Sequence, residues 1–412
     1  MAFSAHCSHF VSRWNSDVVQ KFEIESELRR GHVPKKIVEV TDGEIKYQGE
    51  RQQQIQRPYY TILLMQTSLY PLKFLPLYKN VIWGGNKLKG YGFNYNPLPN
   101  CGELWALSSV EGRESVIANG FLAENTLNEV IEIYMGDLVG DKVYNRFGTQ
   151  FPLLFKVIDA AKDLSIQVHP DDELAQRRGM PCGKTEMWYV MEADPGAHLI
   201  SGFCHDTDPE EYRAALEAGH LEDLLHSEEP QAGDVYFIPA GRVHALGKGL
   251  MVAEIQQTSD CTYRIYDYNR RDADGNLRQL HTEEAMDAID FSGILNHAST
   301  RYQTQQNGTT TLAACPYFIT NLLSIDQPIR KNLEDFDTFV VYMCIDGIAA
   351  VKSMDTIVPL HAGECVLVPA MAERVELFSE GPAKLLEVYI DTTDWNDQPS
   401  NENDWIAQFI AK

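Results

Sequence analysis

The stretch Lys162–Val190, KDLSIQVHPDDELAQRRGMPCGKTEMWYV, combines two strand patterns with a cluster of polar residues. Ser165, Gln167 and His169 alternate with apolar residues, so their side chains share one face of a predicted strand. A short helix and a glycine-bounded loop are predicted next, followed by a second strand that carries Glu186. This strand–loop–strand return can bring Glu186 back beside His169.

A partner for these residues follows in the stretch 233–244, GDVYFIPAGRVH. Its spacing, G-x5-P-x-G-x2-H, matches a signature of the cupin barrel at every fixed position. Two imidazoles, a carboxylate and an amide oxygen form a donor set that suits zinc or a similar divalent metal. The alternative is that the two histidines are ordinary core or surface residues. The candidate metal ligands are Gln167, His169, Glu186 and His244.

Composition limits the kinds of partner. The net charge of −24 argues against nucleic acid, because no basic stripe is available to neutralise phosphates. An anionic substrate must then be held by a few local Lys or Arg residues. No apolar run has transmembrane length and no signal peptide is recognisable, so no membrane partner is expected. Eight isolated cysteines indicate a reducing, cytoplasmic location.

The chain of 412 residues is long enough for two or three domains. Residues 1–64 carry nine Lys and Arg residues against eight Asp and Glu, unlike the acidic remainder. We predict that they form a flexible or non-native extension. A metal-binding catalytic domain is predicted over 65–290, with a helical insertion at about 205–228. A polar linker, 291–310, leads to a C-terminal domain, 311–412.

The C-terminal domain contains an internal repeat of the motif at 233–244. The stretch 363–374, GECVLVPAMAER, keeps the spacing, but Met371 replaces the second glycine and Arg374 replaces the ligand histidine. We therefore predict a mainly β fold with two cupin-type (jelly-roll) β-barrel domains, of which the second is degenerate. A solvated basic residue is the simplest interpretation of Arg374.

Two local predictions complete the pattern. A helix is predicted over 126–134, with Asn125 as its N-cap. In the stretch 261–269, CTYRIYDYN, alternation places Arg264 and Tyr268 on one face of a strand.

The chain resembles the type I mannose-6-phosphate isomerase (phosphomannose isomerase) family, in its short bacterial form, over residues 69–412. Together with the motif at 233–244, the resemblance rests on LYPLKFLPLYKNVIWGG (69–85), GELWALS (102–108), LSIQVHPDD (164–172), GKTEMWYV (183–190) and EIQQTSDCTYRIYDYNR (254–270). The family implies one zinc ion per chain, bound by the four candidate ligands, and a small-molecule sugar phosphate as substrate. It also implies a catalytic arginine at Arg264 and a functional lysine at Lys184. Larger members carry a histidine before that lysine, where this chain has Gly183.

The implied reaction interconverts mannose 6-phosphate and fructose 6-phosphate through a cis-enediol(ate). A base must move a proton between C1 and C2, and a cation must stabilise the developing negative oxygen. Lys184 is the candidate base, although it could instead be an ion-pair partner of Glu186. Arg264 is a fixed cation able to bind enediolate or sugar oxygens. Ser165, on the ligand face, is predicted to contact the substrate phosphate.

Two other functional classes are compatible with a cupin fold. A metal-dependent oxidoreductase is one, but oxygenase cupins usually supply His-x-His where this chain has Gln167 and His169. A sugar-binding module without catalysis is the other, and the presence of Lys184 and Arg264 beside a full ligand set argues against it. The sequence leaves the oligomeric state open.

Overall fold

The computed structural model of this chain describes residues 37–41, 44–47, 69–271, 275–291, 300–393 and 395. Contacts divide the chain into two units, Met1–Ser68 and Leu69–Lys412. In the first unit, strand β1 (Ile37–Thr41) pairs antiparallel with β2 (Glu44–Tyr47). The rest of the predicted extension 1–64 lies outside the described residues.

The second unit is mainly β, as the sequence predicts. The strands of its first half are β3 (Leu72–Lys73), β4 (Leu77–Lys79), β5 (Glu103–Leu107), β6 (Ser109–Val110), β7 (Arg113–Glu114), β8 (Leu153–Asp159), β9 (Ile166–Val168), β10 (Glu186–Ala193), β11 (Leu199–Phe203), β12 (Leu225–Glu228), β13 (Val235–Ile238), β14 (His244–Leu246), β15 (Leu250–Gln257) and β16 (Tyr263–Tyr266). The α-helices are α1 (Leu127–Val139), α2 (Asp141–Phe147), α3 (Asp172–Arg177), α4 (Pro209–Ala218) and α5 (Thr282–Ala288). Short 3-10 helices cover Lys87–Tyr91 and Leu221–Leu224. None of the described helices is long and apolar enough to cross a membrane.

Two large sheets build the first half. One has the strand order β13-β10-β15-β8-β5-β4, and the other has the order β12-β11-β14-β9-β16. Apolar side chains from both sheets, among them Trp188 of β10 and Leu246 of β14, form one buried cluster. The two sheets therefore pack face to face. The strands that carry Gln167 (β9), Glu186 (β10) and His244 (β14) all belong to this pair of sheets.

Strand β10 shows how sequence alternation sets this arrangement. Met187 and Tyr189 enter a core that also contains residues of the second half of the chain. Trp188 and Val190 enter the core between the two sheets of the first half. Because successive side chains of a strand point to opposite faces, Glu186 shares the face of Trp188. The sheet is covered on both faces, which explains why strand β8 is buried along its whole length.

The second half repeats the strand order of the first. Its strands are β17 (Gly308–Ala314), β18 (Ile319–Ile325), β19 (Ile329–Asn332), β20 (Val340–Asp346), β21 (Ile348–Ser353), β22 (Thr356–His361), β23 (Cys365–Val368), β24 (Arg374–Ser379) and β25 (Ala383–Tyr389). One sheet has the order β23-β20-β25-β18-β17, with β3 beside β23, and the other has β22-β21-β24-β19. These orders match β13-β10-β15-β8-β5 and β12-β11-β14-β9 of the first half, in agreement with the predicted internal repeat.

Strand register identifies the residue of the second half that corresponds to Glu186, a candidate metal ligand. Glu186 lies opposite Ile238 in the β10–β13 ladder, and Val340 lies opposite Val368 in the β20–β23 ladder. Ile238 and Val368 occupy the same point of the repeated motif. An apolar valine therefore stands where the first half has its glutamate.

The position that corresponds to His244 is also changed in the second half. Arg374, at the motif position of His244, has an exposed side chain that lies 3.5 Å from a carboxylate oxygen of Glu334. This agrees with the predicted solvated residue. Strand β16, which carries Arg264, has no counterpart among the described strands of the second half.

The first strands of the second unit join its two halves. Strand β3 pairs with β23 of the second half, whereas β4, four residues further along the chain, pairs with β5 of the first. Lys73 Nζ in β3 lies 2.7 Å from Glu364 Oε2. The start of the predicted 65–290 domain thus contributes a strand to each half.

Helix α1 begins with a different cap from the predicted one. The hydroxyl of Thr126 accepts a hydrogen bond from the Glu129 amide, and the Glu129 carboxylate accepts one from the Thr126 amide. This reciprocal capping box satisfies amide groups that a helix start leaves unpaired. The prediction of Asn125 was wrong, because its side-chain amide donates instead to the carbonyl of Leu122.

Candidate metal centre

The predicted ligands converge between the two sheets of the first half. His169 Nε2 lies 3.5 Å from Glu186 Oε2, and His244 Nε2 lies 3.4 Å from Glu186 Oε1. Gln167 Nε2 lies 3.2 Å from His244 Nε2. Donor atoms of the two histidines and Glu186 lie within 4.8 Å of one another, and all three side chains are buried. A tetrahedral ion with bonds of about 2.0–2.1 Å would hold its ligand atoms roughly 3.3 Å apart, close to the observed spacing.

The protonation of His244 and the orientation of the Gln167 amide determine which of their atoms could bind a metal. His244 Nδ1 lies 2.8 Å from the carbonyl oxygen of Arg242, so Nδ1 carries the proton and donates to it. Nε2 then has a free lone pair facing the cluster. Turning the Gln167 amide by half a rotation would present its oxygen, a metal donor, at the position of Nε2.

Burial sets the protonation of the cluster. Burial lowers the pKa of His244 to about 3, and burial with the nearby Lys184 charge lowers the pKa of His169 well below its usual value. Both imidazoles are therefore neutral at pH 7, as metal binding requires. Burial, followed by the charge of Glu254, raises the pKa of Glu186 to about 7. The positive charge near Glu186 is therefore not enough to keep its carboxyl group fully ionised at pH 7.

Lys184 contacts two of the candidate ligands. Its Nζ lies 2.9 Å from Glu186 Oε2 and 3.0 Å from His169 Nε2. Its backbone amide donates to the carbonyl of Pro170, which ties the loop before β10 to the end of β9. The ion pair with Glu186 is the alternative that the sequence left open beside the role of base.

A cavity of about 270 Å³ opens beside the cluster. Its volume is close to the lower end of the roughly 300–1,000 Å³ that small-ligand sites occupy. The predicted site residues that line it are Ser165, Gln167, Lys184 and Arg264.

Arg264 is held beside the cluster by its own strand and by the segment after it. It lies opposite Gln167 in the β9–β16 ladder. Its Nη1 donates to the carbonyl of Gln279 at 2.8 Å, and its backbone amide donates to His281 Nδ1 at 3.0 Å. The guanidinium is therefore positioned at the cavity without a carboxylate partner of its own among the described residues.

The predicted strand around Arg264 is shorter than expected. The register shifts between Arg264 and Tyr266, and β16 ends at Tyr266. Tyr268 has a φ of 55°, in the left-handed region that strands do not use. The prediction that Tyr268 shares a strand face with Arg264 was therefore wrong.

Glu254 is a cavity residue that the sequence analysis missed. Its Oε1 lies 2.9 Å from Lys156 Nζ, and its Oε2 accepts a hydrogen bond of 2.9 Å from Trp188 Nε1. Burial acts to raise its pKa, but the charges of Lys156 and Lys184 outweigh burial and hold the pKa at about 2. Glu254 is thus an anion at the cavity wall. The alternation of EIQQ in β15, with Glu254 and Gln256 on one face, was the available signal.

The backbone packing around Gly183 excludes the histidine that larger members of the family carry before the lysine. A Cβ at this position would lie 2.6–2.7 Å from backbone atoms of Pro170, Asp171 and Asp172. Contacts this short with backbone leave no room for a side chain. A proton-transfer histidine would need a different path for this loop.

This chain is similar to known proteins over most of its length. The family model for the catalytic domain of type I phosphomannose isomerase matches residues 72–223. The mannose-6-phosphate isomerase ManA of Bacillus subtilis (strain 168) is 36% identical over 304 residues, which cover 73% of this chain and 93% of that protein. This chain belongs to the type I mannose-6-phosphate isomerase family. The family resemblance seen in the motifs is thereby confirmed.

Solved structures show the same relationship. The crystal structure of the mannose 6-phosphate isomerase from Bacillus subtilis is similar with a TM-score of 0.68 and 32% identity, over 78% of this chain and 100% of that chain. A zinc-bound mannose 6-phosphate isomerase is similar with a TM-score of 0.61 and 19% identity, over 78% of this chain and 100% of that chain. At 19% identity, the similarity to the zinc-bound structure shows a shared fold only.

Proposed function

We propose that this family member is a zinc-dependent aldose–ketose isomerase that interconverts mannose 6-phosphate and fructose 6-phosphate through a cis-enediol(ate). Family membership supports the reaction and the substrate. The observation that carries the proposal is the buried cluster of His169, Glu186 and His244, with the half-buried Gln167 at its edge, beside a cavity lined by Lys184 and Arg264. The reaction needs a base for one proton and positive groups for a negative oxygen, and this cavity wall contains both kinds of group.

The donor set fits one zinc ion per chain, held by Gln167, His169, Glu186 and His244. Two imidazole nitrogens, a carboxylate and an amide oxygen suit zinc, and the ligand spacing of 3.4 and 3.5 Å supports a shared ion. Glu186 Oε1 is buried without a hydrogen-bond donor, so a cation would supply its missing partner. When bound, the ion would polarise the carbonyl and hydroxyl oxygens of the sugar.

Two side chains compete for the role of base. Lys184 is the first candidate, because it lies between the ligands and the cavity. Its Nζ also lies 2.9 Å from Glu186 Oε2, which supports the alternative role of an ion-pair partner. Glu254 is the second candidate, because it is already an anion at the cavity wall. Substitution of each residue separates the two roles.

Arg264 and Ser165 complete the proposed site. Arg264 lies opposite Gln167 in the β9–β16 ladder and both residues line the cavity, so its guanidinium can stabilise negative charge on a sugar oxygen there. The neutral hydroxyl of Ser165 lies two residues from Gln167 on β9 and lines the same cavity. It can donate a hydrogen bond to the substrate phosphate.

A domain architecture can also be proposed for the two halves of the chain. We infer that each half is a cupin-type jelly roll. The first is catalytic over 65–290, and its helical insertion, predicted at about 205–228, ends at Leu224, because 225–228 form strand β12. The second, predicted over 311–412 after the linker 291–310, begins with β17 at Gly308. The matching strand orders of the two halves support this division. A cytoplasmic location is proposed from the isolated cysteines, since reducing compartments favour free thiols.

A coupled assay tests the proposed function. Mannose 6-phosphate is the only sugar supplied, and formation of fructose 6-phosphate is followed through a linked enzyme. We expect turnover that is lost with a chelator and restored by zinc. Absence of fructose 6-phosphate from fully zinc-loaded protein would rule the activity out.

A further inference from the structure

Arg264 stands on the edge strand of its sheet. The strand order of that sheet ends in β16, so among the described strands β16 has a partner, β9, on one side only. Backbone groups on the open side of an edge strand need another source of hydrogen bonds. Arg264 is a residue of this kind, because its amide and its carbonyl both bond to His281, which follows β16 in the chain.

The two bonds run in opposite directions. The Arg264 amide donates to His281 Nδ1 at 3.0 Å, and the His281 amide donates to the Arg264 carbonyl at 2.8 Å. Because the amide is a donor, Nδ1 must carry the lone pair and Nε2 the proton. Burial, and then the Arg264 charge, lower the pKa of His281, so the ring is neutral at pH 7. His281 thus takes the place of a neighbouring strand at this one residue.

His281 is itself held by helix α5. It directly precedes the helix, and its carbonyl accepts a hydrogen bond from the Ala285 amide. Ala285 and Ile289 belong to the apolar cluster that also contains Ile265 of β16. The imidazole makes no capping bond to α5. Helix packing therefore fixes the backbone of His281 and leaves its ring to Arg264.

The same segment holds the Arg264 side chain. Arg264 Nη1 donates to the carbonyl of Gln279 at 2.8 Å, two residues before His281. The segment also contributes Arg278 to the cavity wall. On the other side of β16, the register with β9 shifts between Arg264 and Tyr266. Because irregularities of this kind re-aim side chains, the ladder with β9 does not by itself determine where the guanidinium points.

We propose that His281 is the positioning residue of Arg264, and that its Nδ1 fixes the Arg264 backbone so that the guanidinium points into the cavity. This rests on the proposed function, in which Arg264 stabilises the developing negative oxygen. Such stabilisation requires donors placed at hydrogen-bond distance from the charge, so a small displacement lowers the rate. His281 does not line the cavity, so it acts through Arg264.

Three substitutions of His281 test the acceptor atom. Asparagine carries its side-chain oxygen at the position of Nδ1, whereas glutamine carries it one bond further out. In zinc-loaded protein, kcat for mannose 6-phosphate should fall about 10-fold in His281→Ala and His281→Gln, as expected for an amide left without its acceptor, with KM largely retained. His281→Asn should recover most of kcat. His220→Ala is the matched control, because His220 also precedes a helix without capping it, and kcat should be unchanged.

A double substitution separates positioning from a merely structural role. If His281 acts through the Arg264 guanidinium, His281→Ala should lower kcat in the wild type but not in the Arg264→Ala background. Equal losses in both backgrounds would overturn the proposal. Wild-type kcat in His281→Ala would do so too, as would a loss in His281→Asn as large as in His281→Ala.

Hydrogen exchange of the Arg264 amide, followed by mass spectrometry, needs no catalysis. Exchange should be faster in His281→Ala and His281→Gln than in the wild type, and close to wild type in His281→Asn. Unchanged exchange in all three variants would overturn the positioning contact. If exchange responds as expected but the zinc-loaded wild type shows no isomerase activity, the proposed function fails and the contact stands.

Discussion

Lys184→Met separates the two roles of this residue, because it removes the amine and keeps most of the side-chain length. Lys184 Nζ lies 2.9 Å from Glu186 Oε2, and the two side chains are only 5% and 0% exposed. Removing one partner of a buried ion pair costs about 3–5 kcal/mol. We expect the metal-free variant to lose free energy of unfolding, but less than this, because Glu186, whose pKa is already about 7, can take up a proton when its counter-charge is removed. Urea unfolding of metal-free protein measures the loss.

Turnover of the zinc-loaded variant then identifies the role. If Lys184 is the base, kcat should fall by about 10²–10⁴, and the limb of the pH profile that reports its ionisation should disappear. If Lys184 only pairs with Glu186, zinc binding should weaken and excess zinc should restore kcat. Glu254→Gln, measured in parallel, should lower kcat if Glu254 is the base instead.

The second half of the chain offers a matched control. Lys331 Nζ lies 2.6 Å from Glu387 Oε1 in another largely buried ion pair, and neither residue lines the cavity beside the candidate metal centre. Lys331→Met should therefore cost stability without changing kcat. Wild-type turnover in zinc-loaded Lys184→Met and in Glu254→Gln would refute the assignment of the base to this cavity wall.

Three further predictions concern charge and metal. Arg264→Ala should lower kcat in the coupled assay by about 10²–10³ with zinc retained, and Arg264→Lys should recover little, because an ammonium lacks the guanidinium fork. Plasma mass spectrometry should find zinc lost from His169→Ala and His244→Ala, but still one ion per chain in Arg374→Ala. Burial acts to raise the pKa of Glu364, yet its hydrogen bonds and ion pair hold it at about 2, against an ordinary 4.5. Its charged form thus stabilises the fold above pH 4.5, so Glu364→Gln should cost about 3 kcal/mol in urea unfolding at pH 7 and progressively less toward pH 2.

Each of these outcomes can be contradicted. Full turnover in zinc-loaded Arg264→Ala would place charge stabilisation elsewhere. A second ion that disappears in Arg374→Ala would show that the second half binds metal. A Glu364→Gln deficit that stays constant from pH 7 to pH 2 would show that the carboxylate charge does not matter.

Local alternation allowed the meeting of the candidate ligands to be predicted. Gln167 and His169 stand two apart on a strand, and the return of the chain to Glu186 needs only a helix and a loop, so their meeting follows from short-range geometry. His244 was identified by the spacing of its own motif. The repeat allowed the replacement of the candidate ligand histidine by Arg374 to be predicted from the sequence.

Other features depend on contacts between residues distant in the chain. Arg278 follows a turn after β16, and nothing in its neighbourhood marks it as a cavity residue. The pairing of β3 with β23 joins residues nearly three hundred positions apart, and a two-residue strand has no pattern of its own. The left-handed backbone of Tyr268 could not be anticipated, because tyrosine rarely adopts it. The Thr126 cap was readable, since Glu129 three residues later completes a capping box.

The dependence of isomerisation on a bound ion can be measured by titrating metal-free protein with zinc and following activity and bound metal on the same samples. Formation of fructose 6-phosphate from mannose 6-phosphate should rise linearly with added zinc and level off at one ion per chain. The same titration of His244→Ala should give neither tight binding nor activity. Full isomerase activity in protein that contains no metal would contradict the account.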